Sequence, residues 1–224
     1  MHVLDLGSGT GFSAQSFLDF FSHARLTLVE PDPAMLEAAA PLFEDSTQIT
    51  SIHARAENFE FSARYDLVLV GSAWHWMDRA QLIKKFETGD VGGVFIFEYQ
   101  FPKAKAHADL NEWVRRAFNL KWRTLTQEPR GNLTELTQGL RDSLFFAEQS
   151  RVSFLHEEAF DLERFWGMII SQSRFLAYEE TLPVETRVDY RKLLLQELAL
   201  MWGLGRELQF ILPYEGDFFL RRKI

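Results

Sequence analysis

The chain has 224 residues, of which 46% are hydrophobic and 25% charged, with a formal net charge of −8 at pH 7. This length suffices for one α/β domain with a sizeable core, and the acidic balance argues against a nucleic-acid partner, which would require a basic stripe. Cysteine is absent, which excludes disulfides, thiolate metal sites and cysteine-bound iron–sulfur clusters. No run of eighteen apolar residues occurs, so we expect a soluble, cytoplasmic protein with no membrane partner.

The first predicted elements form a βαβ unit. A strand over residues 2–6 runs into three glycines at alternate positions, Gly7, Gly9 and Gly11. A helix follows, and a second strand over residues 25–30 ends on Glu30. Glycine permits positive φ and lets a ligand approach the backbone closely, and a carboxylate at a strand tip accepts hydrogen bonds from two ribose hydroxyls. The pattern therefore predicts a nucleotide site.

One acidic residue indicates which nucleotide binds. Dinucleotide sites use the spacing G-x-G-x-x-G, whereas this chain has G-x-G-x-G with Asp5 two residues before Gly7. A carboxylate there would repel a pyrophosphate but suits a ligand with an ammonium and a sulfonium group. The residues thus favour S-adenosylmethionine (SAM) over NAD, and a dehydrogenase stays as the weaker alternative.

The alternation of strands and helices continues to about residue 98. Asp32 predicts a helix N-cap, and a third strand covers about residues 49–54. Residues 67–70 are continuously apolar, which is typical of a central parallel strand buried on both faces. Asp78 predicts another N-cap, and a fifth strand covers residues 94–98.

Beyond the fifth strand the pattern changes. Residues 102–150 are predicted to be helical, with a capping box at Asn132 and Glu135. The remaining predicted elements are a strand over 151–155, helices beginning at Asp161 and Pro183, and strands over 208–212 and 217–222. We therefore expect an α/β fold with a Rossmann-like, doubly wound, mostly parallel seven-stranded sheet. Residues 1–224 would form a single domain, in which 102–150 is a helical lid or insertion after strand five.

Five segments resemble one enzyme family. Residues 3–11, VLDLGSGTG, resemble motif I of the class I SAM-dependent methyltransferases, and residues 29–32 resemble the acidic motif after their second strand. Residues 56–58 are similar to the segment that flanks the adenine. Residues 72–78, SAWHWMD, resemble the A-x-H-W-F-D segment of the small-molecule branch that includes the trans-aconitate and ubiquinone/biotin-pathway methyltransferases. Residues 211–222 resemble the closing strand of that branch.

The resemblance implies methyl transfer from SAM to a small molecule, with an O-nucleophile, either a carboxylate or a hydroxyl, as the expected acceptor. The expected cofactor contacts follow the carboxyl ends of the parallel strands and are Asp5, Gly7, Ser8, Gly9, Gly11, Glu30, Pro31, Ala56, Glu57 and Ser72. Some of them have simpler alternatives: the three glycines as turn residues only, Glu30 as a solvated strand end and Glu57 as a surface loop acid.

The segment after the fourth strand is the predicted acceptor site, because ligands of open α/β sheets bind beyond the carboxyl ends of the strands. His75 is the candidate general base, and Trp74 and Trp76 are candidate substrate contacts. The alternative is that one tryptophan packs in the core and His75 makes a structural hydrogen bond. The histidines lack metal-ligand spacing, so no metal site is expected.

Basic residues of the 102–150 segment are candidates for holding an acidic acceptor, with a solvated helix face as the alternative. They are Arg115, Arg116, Lys121 and Arg123.

The chain differs from the family pattern at its N-terminal end. Members of the family usually carry some dozens of residues before motif I, including a helix that folds over the cofactor, whereas the first strand here starts at residue 2. We expect an open cofactor cleft, with weak binding or slow turnover unless the 102–150 helices or a homodimer partner cover it. The alternative function is a non-catalytic, methyltransferase-like SAM-binding or regulatory subunit.

Overall fold

The computed structural model describes residues 1–44, 46–122, 132–203 and 205–223. Within them, eight strands form one sheet of order β3-β2-β1-β4-β5-β8-β6, with β7 paired to β8 off this path. The strands are β1 (His2–Leu6), β2 (Arg25–Glu30), β3 (Ile49–His53), β4 (Leu67–Gly71), β5 (Gly93–Tyr99), β6 (Lys103–Ala104), β7 (Phe146–Phe160) and β8 (Leu208–Arg221). Strands β1 to β5 are parallel, and β8 is antiparallel to β5 and β6.

Eight α-helices accompany the strands within the described residues. They are α1 (Phe12–Phe20), α2 (Pro33–Ala39), α3 (Arg79–Thr88), α4 (Ala108–Arg116), α5 (Leu133–Asp142), α6 (Leu162–Ile170), α7 (Ser173–Glu180) and α8 (Val184–Trp202). A short 3₁₀ turn, Trp74–Trp76, follows β4, and a π turn, Ala117–Lys121, continues α4. None of the described helices has both the length and the apolarity that a membrane crossing requires.

The expected Rossmann-like, mostly parallel fold is confirmed, but the described part of the chain has eight strands in its sheet rather than seven. Strand β1 lies between β2 and β4, so the chain reverses its direction across the sheet at this point. In such sheets the ligand crevice lies outside the carboxyl ends of the two strands that flank the reversal. The crevice is therefore expected beside the residues that follow β1 and β4.

The central strands are buried on both faces. On one face Leu4, Val68 and Ile96 pack with the aromatic residues of the main core. On the other face Val3 and Leu69 pack with residues of α1. Burial on both sides explains the continuously apolar sequence of β4.

The last strand differs from its prediction. Residues 208–212 and 217–222 were expected as two strands, yet β8 runs continuously through Pro213. The carbonyl of Pro213 accepts a hydrogen bond from the Gln100 N–H at 2.9 Å, so the backbone there stays paired. The predicted strand 151–155 is likewise the middle of the longer β7.

The chain divides into two compact units. The first contains the described residues within 1–99, 130–154 and 214–224, and the second those within 100–129 and 155–213. The second unit has an aromatic core made by Trp122, Phe165, Phe175, Trp202 and Phe210. Residues 102–150 are thus shared between the units, and their role as a lid or as part of the acceptor site stays a prediction.

Candidate cofactor and acceptor site

The turn between β1 and α1 has three left-handed glycines. Gly7, Gly9 and Gly11 have φ of 70°, 56° and 85°. A Cβ on Gly7 would lie 2.6 Å from the Ala73 Cβ, and one on Gly11 would lie 2.7 Å from the Phe43 ring. A Cβ on Gly9 would meet nothing within 4 Å. Packing therefore requires Gly7 and Gly11, whereas Gly9 borders space in which a ligand could contact the backbone.

Glu30 is fixed at the end of β2 by that turn. Its carboxylate accepts hydrogen bonds from the Gly9 N–H at 2.9 Å and from the Asp32 N–H at 3.1 Å. The residue is 8% exposed. Each carboxylate oxygen has a second lone pair in addition to the one used by the backbone. The site can therefore present two oriented acceptors to a ligand diol.

Asp5 is a buried carboxylate directly beneath this turn. Its Oδ2 accepts a hydrogen bond from the Ser13 hydroxyl at 2.7 Å. Burial raises the pKa of Asp5 to about 6, with the Ser13 bond opposing the shift and the Glu30 charge adding to it. Within the described residues, Asp5 Oδ1 and Ser8 Oγ are buried and have no hydrogen-bond partner. Such orphaned polar atoms fit a ligand that brings a cationic donor.

Hydrogen bonds to neighbouring residues fix the loop after β2 and connect it to β3. Asp32 caps α2 by accepting a hydrogen bond from the Ala34 N–H at 2.9 Å, and the Pro31 carbonyl accepts one from His53 Nε2 at 2.9 Å. Ala56 is buried. Because Pro31 is held at the edge next to Glu30, its backbone can border the same cleft.

Glu57 has a structural partner that the sequence did not suggest. Its Oε1 accepts a hydrogen bond from the Asp78 N–H at 2.8 Å, and its carbonyl accepts one from Lys85 Nζ at 2.5 Å. These bonds connect the loop after β3 to α3. The predicted adenine contact at Glu57 stays a prediction, and the carboxylate already stabilises the start of α3.

Ser72 has an unusual backbone conformation at the carboxyl end of β4. Its φ is 52°, the one positive value among the described non-glycine residues. The Ser72 N–H donates to the Phe97 carbonyl at 2.8 Å, and its hydroxyl accepts from the Tyr99 N–H at 3.2 Å. Residues held in the left-handed region by such bonds are concentrated at functional sites.

The two tryptophans of the 3₁₀ turn have different environments. Trp74 is fully buried, and its indole N–H donates to the Leu136 carbonyl at 2.8 Å. Full burial favours the alternative that Trp74 is the tryptophan packed in the core, and its contact with substrate stays a prediction. Trp76 is 58% exposed, and its ring lies 5.0 Å from the His75 ring.

His75 is paired with an acid that the sequence analysis did not include. Its Nδ1 lies 3.2 Å from Glu98 Oε1, and the two side chains are 8% and 11% exposed. Glu98 lies near the end of β5, which pairs with β4 through Gly71 and Phe97. The sequence did contain a signal for Glu98, because this acid follows the apolar run of β5. In the sheet, β5 pairs with β4, the strand that precedes His75.

The predicted acidic-acceptor residues have local partners. Arg115 and Arg116 both bind the carboxylate of Glu112 on α4, at 2.6 and 2.8 Å. Lys121 Nζ lies 4.9 Å from the centre of the Tyr190 ring, and Arg123 lies outside the described residues. No group of three or more His, Asp or Glu in the described ranges is arranged to hold a metal ion.

Comparisons with known proteins show which families the first part of the chain resembles. Residues 3–88 match the family described as "Methyltransferase domain". The chain is 31% identical over 77 residues to malonyl-[acyl-carrier protein] O-methyltransferase 1 of Ilyobacter polytropus, which is 34% of this chain and 29% of that protein. It is also 31% identical over 78 residues to the malonyl-[acyl-carrier protein] O-methyltransferase of Acetivibrio thermocellus, covering 35% and 27%. The match thus spans less than a third of the length of these curated relatives.

Solved structures show the fold. A protein of Anaeromyxobacter dehalogenans assigned as a type II methyltransferase aligns with a TM-score of 0.70 at 19% identity, covering 97% of this chain and 88% of that chain. The YcgJ protein of Bacillus subtilis aligns with a TM-score of 0.54 at 14% identity, covering 100% and 92%. Residues 3–88 are thus similar to a methyltransferase-domain family, and the solved structures share the fold of this chain.

Proposed function

We propose that this chain transfers the methyl group of SAM to an oxygen atom of a small-molecule acceptor. The observation that carries the proposal is the Glu30 carboxylate, held by the Gly9 N–H beside the open side of the glycine turn. The proposal is supported by the O-methyltransferase names of the relatives that match the first part of the chain.

The residues around the turn fit the donor molecule. Glu30 would accept hydrogen bonds from the two ribose hydroxyls, and Gly9 would allow the ligand to contact the backbone. The orphaned acceptor of Asp5 would face the cationic end of the ligand. SAM, when bound, supplies a methyl carbon already activated by the sulfonium. The chain must therefore mainly align the acceptor and exclude water.

The acceptor side of the proposal centres on the residues after β4. Ser72 and His75 lie three positions apart in the sequence, after the carboxyl end of β4, and Trp76 offers an exposed aromatic surface. A carboxylate acceptor needs no base, whereas a hydroxyl acceptor benefits from one within reach. His75 is the proposed base for that second class.

A non-catalytic SAM-binding or regulatory subunit is the second candidate function. Both candidate functions predict that the cofactor binds in the same cleft, so only a measurement of turnover distinguishes them. A NAD-dependent dehydrogenase is disfavoured because the Asp5 carboxylate lies beneath the turn that would hold a pyrophosphate.

The test is isothermal titration of the chain with SAM, S-adenosylhomocysteine (SAH) and NAD, followed by transfer of radiolabelled methyl from SAM to candidate acceptors. We expect SAM and SAH to bind, NAD not to bind, and label to appear in a small-molecule acceptor. Tight NAD binding would contradict the proposal. Binding of SAH without transfer to any acceptor would favour the regulatory subunit.

A further inference from the structure

The carboxyl of Asp5 is completely buried and has little to stabilise its ionised form. Its Oδ2 accepts a hydrogen bond from the Ser13 hydroxyl at 2.7 Å, whereas its Oδ1 has no partner in the part of the chain that the structure describes. An ionised carboxylate in a protein interior is stable only where several hydrogen bonds or a positive charge compensate for the lost water. The neutral acid is therefore favoured at this position.

The strands on either side of Asp5 do not supply a positive charge to its carboxyl. Strand β4 contains no titratable residue, and β2 contains Arg25 and Glu30. Arg25 lies opposite His2 at the amino ends of the strands, away from the glycine turn. Glu30 lies at the carboxyl end of β2, and its negative charge opposes the ionisation of Asp5.

The face of the sheet that Asp5 shares with Val3 is covered by α1 and the 3₁₀ segment Ala40–Phe43. Asp19 is the one titratable residue of these two elements, and it is exposed near the far end of α1. His75, in the turn after β4, is paired with the acid Glu98. Burial therefore dominates and raises the pKa of Asp5 to about 6, against the Ser13 bond and with the Glu30 charge.

Ser8 adds a second unpartnered group in the same turn. Its Oγ is buried and has no hydrogen-bond partner among the described residues, and a hydroxyl can donate as well as accept. The amino-acid end of SAM or SAH has both an ammonium and a carboxylate group. An unpartnered acid and an unpartnered hydroxyl are complementary to these two groups.

We infer that Asp5 gives up its proton when the ammonium group of SAM or SAH binds beside the glycine turn, so that cofactor binding is coupled to proton release. This inference rests on the proposed function and concerns the regulation of that site by pH. The ammonium brings the positive charge that the surrounding elements lack, and its attraction to a carboxylate is strong at low dielectric. The proton of Asp5 passes to the solvent, and the ligand keeps its own.

The first test counts protons in the parent and needs no variant. SAH is titrated into the chain at about pH 5 and about pH 8, each time in two buffers that differ in their enthalpy of ionisation. The difference in the measured binding enthalpy gives the number of protons released. We expect close to one proton at about pH 5 and close to none at about pH 8. Binding at about pH 5 without proton release would overturn the inference.

The second test assigns the proton to Asp5. Between about pH 5 and about pH 8, the affinity of the parent for SAH should rise about tenfold, as a pKa near 6 requires. Asp5→Asn cannot ionise, so its affinity should change less than about twofold and it should release close to no proton. The exposed Asp19→Asn on α1 is the matched control and should behave as the parent does. Equal proton release by Asp5→Asn and the parent would contradict the assignment.

A further variant keeps Asp5 in place and provides a test if Asp5→Asn does not fold. Ser13→Ala removes the hydrogen bond that favours the ionised carboxylate. The midpoint of the rise in SAH affinity should therefore move to higher pH, and an unchanged midpoint would overturn the inference.

The outcomes separate this inference from the proposed function. Binding of SAH with equal affinity at about pH 5 and about pH 8 would overturn the coupling and leave the cofactor site in place. Failure of the parent to bind SAH at either pH would overturn the proposed function itself.

Discussion

Asp5 shows how one residue links the candidate site to the stability of the fold. Its carboxyl is fully buried in β1, and burial raises its pKa from the ordinary 3.8 to about 6. Between these two values the folded chain keeps a proton on Asp5 that the unfolded chain has lost. The free energy of unfolding contributed by this group therefore falls as the pH rises through the window, by about 3 kcal/mol in all.

The change Asp5→Asn removes this titration and keeps an oxygen that can accept the Ser13 hydroxyl. We expect the variant to gain stability relative to the parent as the pH rises from about 4 to about 7, by up to about 3 kcal/mol. Urea denaturation at the two pH values measures the difference. Asp19→Asn, at an exposed position of α1, is the control. An equal stability difference at both pH values would contradict the assigned pKa.

The residue scale also shows where sequence reasoning reached its limit. Trp74 and Trp76 lie two positions apart in a 3₁₀ turn, which has three residues per turn, so their side chains point in different directions. The sequence offered both as acceptor contacts, with one of them in the core as the alternative, and burial in the fold indicates that Trp74 is the core residue. Glu98 was missed because its partner His75 is 23 residues away and meets it through strand pairing.

At the scale of the element, the glycine turn offers a matched pair of substitutions. Gly7→Ala and Gly9→Ala both introduce a Cβ at positive φ, which costs about 1–2 kcal/mol. Only the Cβ at Gly7 would collide with Ala73. We expect Gly7→Ala to lose about 1–3 kcal/mol more stability than Gly9→Ala, by analogy with overpacking of a core. Chemical denaturation measures both variants.

The affinity for SAH should depend on a different property of these two variants from their stability. Gly9→Ala should keep most of its stability and still bind SAH at least about tenfold more weakly, because its Cβ would occupy the open side of the turn, where we propose that the ligand binds. Titration of the folded variant with SAH measures the loss. SAH affinity equal to that of the parent would show that the open side of Gly9 does not face the cofactor.

A second element-scale feature is the buried carboxylate of Asp217 on β8. It accepts hydrogen bonds from Arg151 and Arg141 and from the Thr137 hydroxyl at 2.7 Å. Burial alone would raise the pKa of Asp217, but the bonds from Arg151 and Thr137 and the charge of Arg141 hold it below the ordinary value. This network joins α5, β7 and β8 within the first unit.

We expect Asp217→Ala to lower the free energy of unfolding by about 1.5–3 kcal/mol, the range for hydrogen bonds to a charged group. The change removes the buried carboxylate that Arg151 and Arg141 share, and Arg141 keeps its ion pair with Glu148. The stabilisation in the parent is present at neutral pH and is lost as the pH falls through the lowered pKa. Asp142→Ala, at an exposed position of α5, is the control. Denaturation of both variants at neutral pH checks the difference, and equal stabilities would contradict a stabilising role for the network.

At the scale of the whole molecule, the sequence predicted the parts of the fold that depend on short local patterns and missed those that depend on contacts between distant residues. The first five strands follow from short alternations of apolar runs, glycine turns and caps, and the capping box of Asn132 and Glu135 is present as predicted. The second unit was not anticipated as a compact body, because its core joins aromatic residues such as Trp122 and Phe210 that are distant in the sequence. Periodicity alone carries no information about such pairings.

The central claim is that the cleft formed by Asp5, Gly9 and Glu30 binds SAM, and titration of Glu30→Ala with SAH tests it most directly. The substitution removes the carboxylate that would accept both ribose hydroxyls. We expect binding weaker than that of the parent by about 1.5–3 kcal/mol, the range for hydrogen bonds to a charged group. Asp19→Ala, at the opposite end of α1 from the glycine turn, should bind as the parent does. Equal SAH affinity in Glu30→Ala and the parent would contradict the account.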